Sequence, residues 1–360
     1  MADVLELTGP IHVGPEDVVD RAWVIDGRIT FSRPSGDHAV TTIEGHVLPG
    51  LVDAHCHIGL VAEGPASAET AEQQALAGRE AGTLLVRDAG SPSDTRWIDD
   101  RDDLPRVIRA GQHIARTKRY LRNFAHEIEP EDLAAYMRAE ARRGDGWVKI
   151  VGDWIDRSVG DLAPCWPAEA ISAGIGAAHE EGARVTAHCF GEECLPDLIA
   201  AGIDGIEHGT GLTEATMEAA AAQQVAVVPT LINIATFPHL VEPARGRFDT
   251  WVNHMLALHD RRYETIHAAA AAGVPIYAGT DAGSAMPHGL IVDELAELVA
   301  AGFTPAQSLD AGCWAAREWL DRPGLAEGES ADLLVCASDP REDLQVLREA
   351  TVVLRGRVYG

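Results

Sequence analysis

Between residues 48 and 320, short apolar runs alternate with Ala- and Glu-rich stretches of helical length. That alternation leaves few folds open, because strands separated by helices pair in parallel. The strand-like runs begin at Leu48 and recur at Thr83–Asp88, from Val107 to near Ile114, at Trp147–Val151, Arg184–His188, Ile203–His208, Val225–Val228 and Pro275–Asp281. Helices are expected near 66–81, 130–143, 167–181, 192–201, 213–223 and 249–272, and onward to about 320. Eight strand–helix units predict a (β/α)8 TIM barrel over residues 48–327. The ends of the chain differ. Val18-Val19, Ala22–Ile25 and Arg28–Phe31 read as strands, with Asp26-Gly27 as a hairpin turn. Ala331–Cys336, Ala350–Leu354 and Arg357–Tyr359 have the same character. Residues 1–47 and 328–360 are therefore expected to form one small β-sandwich domain.

The polar residues at the strand ends carry the chemistry. His55 and His57 leave the first strand on one face, since side chains alternate along a strand. His188 ends the fifth strand, His208 the sixth and Asp281 the eighth. In a barrel those ends converge on one mouth, where active sites are built. Singly, each residue has an ordinary role available, such as a buried histidine or a helix cap. Jointly, four imidazoles and a carboxylate at one mouth suit one or two zinc-like divalent ions. Lys149 lies between apolar Val148 and Ile150 and so faces the interior. An ammonium there is costly and ligates nothing. Reaction with carbon dioxide would turn the amine into an anionic carbamate able to bridge two cations.

Composition excludes other classes. A net charge of −27 leaves no basic surface for nucleic acid. No apolar run reaches the length of a membrane span, and Met1–Pro10 carries no secretory signature. The six cysteines form no CxxC pair, which fits free thiols in a reducing, cytoplasmic setting. The expected partner is a small-molecule substrate, with neither nucleic acid nor membrane. Assembly with further copies of the chain is left open.

Five motifs occur in order: Pro-Gly-Leu-Val-Asp-Ala-His55-Cys-His57, Trp-Val-Lys149-Ile, Thr-Ala-His188, Ile-Glu-His208-Gly and Ala-Gly-Thr-Asp281-Ala-Gly. Together with the tail Leu325-Ala-Glu-Gly-Glu-Ser-Ala-Asp-Leu-Leu-Val, they resemble the amidohydrolase superfamily, in its imidazolonepropionase- and prolidase-related branch. The resemblance implies two ions, with His55, His57 and Asp281 on one, His188 and His208 on the other, and carboxylated Lys149 bridging. It also implies hydrolysis of a C–N bond in an amide, dipeptide, cyclic amide or amidine. Such ions acidify water and polarise a carbonyl. Asp281 is expected to pass the water proton to the leaving amine.

For the substrate, the basic segment Lys118–His126 offers Tyr120 and His126 as carboxylate-binding groups. Trp154 and Trp166 bracket the loop after the fourth strand, and His288 follows the eighth. Two other readings stand beside the binuclear hydrolase. One is a mononuclear deaminase or ring-opening hydrolase of the same superfamily. The other is a catalytically silent barrel scaffold.

Overall fold

The computed structural model describes residues 3–359. Its central strands are parallel and fall into two sheets. One sheet carries Leu51–Val61, Thr83–Asp88 and Arg106–Arg109, with Ala282–Ser284 at its edge. The other carries His113–Arg116, Trp147–Val151, Arg184–Cys189, Gly205–His208 and Ala226–Val228, with Ala125–Ile128 at its edge. Nearly every residue of these strands is buried, which explains why the runs are largely apolar and do not alternate.

Two seams join the sheets into a TIM-barrel-like arrangement. At one, Arg106–Arg109 pairs parallel with Thr83–Asp88 in the first sheet, and His113–Arg116, which follows it in the chain, pairs parallel with Trp147–Val151 in the second. At the other, an extended segment replaces the eighth strand expected at Pro275–Asp281. Ile276 bridges to Val227, and Ala54 N–H donates to Ala278 O at 2.9 Å. The segment does not register as a strand for physical reasons. Pro275 has no N–H to give. Thr280 and Asp281 both donate to the single carbonyl of His55, at 3.0 and 2.7 Å. The ladder is interrupted there, with Asp281 at φ 55°, and resumes one residue on, where Ala282 pairs with Cys56.

The termini also differ from expectation. They do not make a two-layered sandwich. They make one eight-stranded sheet, in which Asp3–His12, Val18–Ile25, Arg28–Thr30, Ala39–Glu44 and His46–Pro49 join Leu333–Cys336, Thr351–Leu354 and Arg357–Tyr359. The reason lies in its two faces. Val47, Leu333, Val335 and Val353 pack into a core of the sheet's own, with Leu7, Ile11 and Val24. The alternate residues Leu48, Leu334, Cys336, Val352 and Leu354 belong to the same core as the central strands. The sheet therefore uses the barrel as its second layer.

A cap sits on the mouth. An unforeseen hairpin, Asp153–Asp156 with Asp161–Pro164, meets the helices Phe237–Val241 and Asp249–Asp260. Leu162, Phe190, Phe237, Val241, Val252 and Met255 form its core. The helix expected over 249–272 is two helices, Asp249–Asp260 and Arg262–Ala271, broken at Arg261. Among the described residues, no helix is long and apolar enough to cross a membrane.

Candidate metal centre

His55 and His57 lie on the strand Leu51–Val61 and present their Nε2 atoms 3.2 Å apart. Asp281 Oδ1 stands 3.2 Å from His55 Nε2 and 3.0 Å from His57 Nε2. A tetrahedral ion with ligand bonds of about 2.0–2.1 Å spaces its donors about 3.3–3.4 Å apart. The three atoms are thus at near-ligand spacing. The neighbours fix which ring nitrogen is free. His57 Nδ1 contacts Gly90 O at 2.7 Å, and a carbonyl only accepts. Nδ1 therefore holds the proton, and the Nε2 lone pair faces Asp281. His55 Nδ1 lies 2.7 Å from Glu207 Oε2, a close ion-pair contact that is out of line for a hydrogen bond.

Backbone shape brings the first and last strand ends together. A Cβ on Gly279 would stand 2.7 Å from His55 N and 2.5 Å from Val228 Cγ1, so only glycine lets this segment press in. Buried Asp53 accepts from Thr280 N at 3.0 Å, Thr280 Oγ1 at 2.6 Å and His55 N at 3.2 Å. His208 and Asp281 have φ of 69° and 55°, a region that non-glycine residues seldom occupy and that recurs at functional sites.

His188 Nδ1 and His208 Nε2 are 2.9 Å apart. His208 Nδ1 meets Thr230 Oγ1 at 2.7 Å. His188 Nε2 and Lys149 Nζ are buried without a hydrogen-bond partner. Burial pushes the Lys149 amine down to about 8 and His208 down to about 3. Burial, with His208 and Lys149 nearby, holds His188 well below the usual range. Burial opposes the charged form of Asp281, yet the nearby imidazoles, His55 foremost, hold its carboxyl well below the usual range. Burial opposes the charged form of His55, yet Glu207 and Asp281 beside it outweigh that and raise its pKa. The neutral imidazoles of His188 and His208, a carboxylate and a partnerless amine suit a cation, which takes deprotonated ligands.

The remaining candidates divide. Tyr120 and Trp154 line a cavity of 240 Å³ that opens onto His57, His188 and Asp281. His126 does not line it and instead contacts Glu140 Oε1 at 3.0 Å. His288 lies beside the site but outside that lining. Burial and His57 push it down to about 4. Trp166 is buried and donates to Val151 O at 2.7 Å, a packing role. A larger cleft of 510 Å³, walled by Arg106, Arg317 and Asp332, shares no residue with the histidine cluster.

Some residues at the site carried no signal that the sequence reading used. His113 is buried in the cavity wall, its ring centroid 4.9 Å from that of His57, with neither ring nitrogen partnered. Asn233 donates to Asp281 Oδ2 at 2.7 Å. Arg87 and Glu207, both fully buried, pair at 2.6 Å beneath His55. A charged Arg-Asp pair closing an apolar strand, and a glutamate before His208, were the available clues.

The sequence model of the amidohydrolase family matches residues 46–360. An uncharacterized protein of Mycobacterium tuberculosis is 52% identical over 348 residues, covering 96% of this chain and 94% of that protein. A solved Xaa-Pro dipeptidase with bound methionine in its active site superposes with a TM-score of 0.80 at 23% identity, covering 99% and 100% of the two chains. The ochratoxinase of Aspergillus niger superposes at 0.78 with 19% identity, covering 99% and 95%. The chain belongs to the amidohydrolase family, as an enzyme of it.

Proposed function

We propose that this enzyme hydrolyses the C–N bond of a small amide at a site built for two divalent ions. One observation carries the reading. His55 Nε2, His57 Nε2 and Asp281 Oδ1 stand within 3.2 Å of one another, beside a buried lysine whose amine has no partner. In this reading those three residues hold the first ion, and His188 and His208 hold the second. Lys149, as a carbamate, would supply a further ligand, and burial, which lowers its pKa to about 8, raises the share of the uncharged amine that reacts with carbon dioxide. Zinc fits the imidazole-rich donor set. When bound, such ions acidify water and polarise the scissile carbonyl. The chain's own residues do the rest. Asp281 accepts the water proton and returns it to the leaving nitrogen, held in place by Asn233. The prolidase-like and ochratoxinase structures support amide chemistry as the class.

Metal content per chain tests the proposal. Protein prepared with zinc and bicarbonate is expected to carry two ions, and Lys149→Ala one or fewer. A mononuclear deaminase is the second reading, favoured by one fact: only His55, His57 and Asp281 bring three donors together at this mouth among the described residues. One ion in both proteins would overturn the binuclear site and favour that reading.

A further inference from the structure

The cleft of 510 Å³ lies at the end of the barrel opposite the histidine cluster. Leu85 and Arg106 in its wall are register partners near the starts of their strands. Arg317 reaches it from beside Gly50, just ahead of the strand Leu51–Val61. The facing wall belongs to the terminal sheet, where two hairpin turns carry Arg28, Arg355 and Arg357. A Cβ on Gly27 would stand 2.6 Å from Arg355 O, and one on Gly356 would stand 2.7 Å from Gly27 Cα. The turns touch only because both residues are glycine, and that contact gathers their arginines.

The charge of this cleft is the reverse of the chain's. The sequence has 29 basic residues against 56 acidic ones. The cleft has six arginines, namely Arg28, Arg106, Arg317, Arg322, Arg355 and Arg357, against four carboxylates. Two of the four, Asp26 and Asp102, face solvent, while Asp332 is buried and already engaged. Asp332 accepts from Arg106 Nε at 3.0 Å, Ser330 Oγ at 2.9 Å and Arg355 N at 2.9 Å. Arg317 is only 7% exposed, and among the described residues its guanidinium donates to carbonyls alone, those of Gly50 and Pro323. Burial works against its charge, and Cys313 and Asp332 offset that only in part.

We propose that this cleft is a second binding site, remote from the histidine cluster, for a small anion carrying a phosphate group. Guanidinium presents paired N–H donors that match phosphate oxygens. The anion supplies the counter-charge that Arg317 lacks and ties Arg357 of the sheet to Arg106 of the barrel. At about 30 Å³ apiece the cleft holds roughly seventeen water-sized groups, several times a bare phosphate, so a small ester fits as well as the free ion. The site is independent of the hydrolase reading.

Titration calorimetry on the zinc-loaded full chain tests it. Inorganic phosphate and glycerol 2-phosphate are the probes, with sodium chloride of equal ionic strength as the control. Both are expected to bind, and at saturation to raise Tm by about 2 °C or more. Metal ions at the mouth also attract phosphate, so substitutions locate the site. Arg106→Gln on the barrel and Arg357→Gln on the sheet are each expected to weaken binding about tenfold and to reduce the Tm shift. Arg106→Lys is expected to restore part of its loss. Arg357 is exposed, so its replacement leaves the core intact. The tighter probe tells whether the free ion or an ester is the ligand. No binding beyond the chloride control overturns the proposal. Affinity and Tm shift unchanged in either glutamine variant also overturn it, and assign the phosphate to the mouth.

Discussion

Asp281 touches both first-strand histidines and Asn233 while keeping a fifth of its side chain open toward the cavity. Asp281→Asn keeps a carbonyl oxygen for a metal but loses the proton acceptor. The expected result is a fall in kcat of about 10²–10⁴-fold with metal content unchanged, read by elemental analysis beside the rate. A rate within about threefold of wild type in the metallated variant would remove Asp281 from proton transfer. The ligand-type residues were legible because each closes an apolar run, where a polar side chain is out of place: His55, His57, His188, His208 and Asp281. Lys149 stood out for its apolar neighbours on either side. His113 and Asn233 were not legible. Their importance comes from what they face across the mouth, and nothing beside them in the chain reports that. His126 shows the converse, since its sequence neighbourhood looks basic while its partner is Glu140 on a neighbouring helix.

The cap depends on one half-buried imidazole. His254, on the helix Asp249–Asp260, meets Asp161 of the hairpin and Glu192 of the loop after the fifth strand, each at 2.9 Å. Its hydrogen bonds to Glu192 and Asp161 outweigh burial and raise its pKa to about 9. A raised histidine stabilises the fold fully below its unfolded value near 6.5, and that contribution disappears as pH rises through about 9. His254→Gln is therefore expected to cost about 1 kcal/mol at pH 6 and close to nothing at pH 10, measured by urea denaturation at both pH values. A penalty independent of pH would show that the ring acts by packing. Sequence reasoning missed the hairpin because its strands are rich in Asp, Pro and Arg neighbours that read as loop. The strand–helix repeat itself was plain in the apolar runs. Its eighth strand was overcounted because hydrogen bonding, which decides the ladder, is invisible in composition.

Across the whole molecule, Arg87 is the tie between strands. It donates to Ala54 O on the first central strand at 2.7 Å and to Glu207 on the sixth at 2.6 Å, with its guanidinium 4.7 Å from the Trp147 ring on the fourth. Arg87→Met takes the guanidinium from buried Glu207 and leaves it only His55 and the Thr186 hydroxyl, so the expected loss is about 3 kcal/mol, read as a lowered urea midpoint. Against a total of about 5–15 kcal/mol, that change approaches unfolding. Replacing both partners with apolar residues is expected to recover much of the loss. The pairing of His46–Pro49 with Leu333–Cys336 joins early and late segments in the same way. His57 and Asp281, which contact each other, are 224 residues apart in the chain. At about 5–20 residues per second, a ribosome needs roughly 10–45 s to reach the aspartate after releasing the histidines. Through that interval the two imidazoles wait without their carboxylate, so the three-donor cluster cannot form until Asp281 itself has been made.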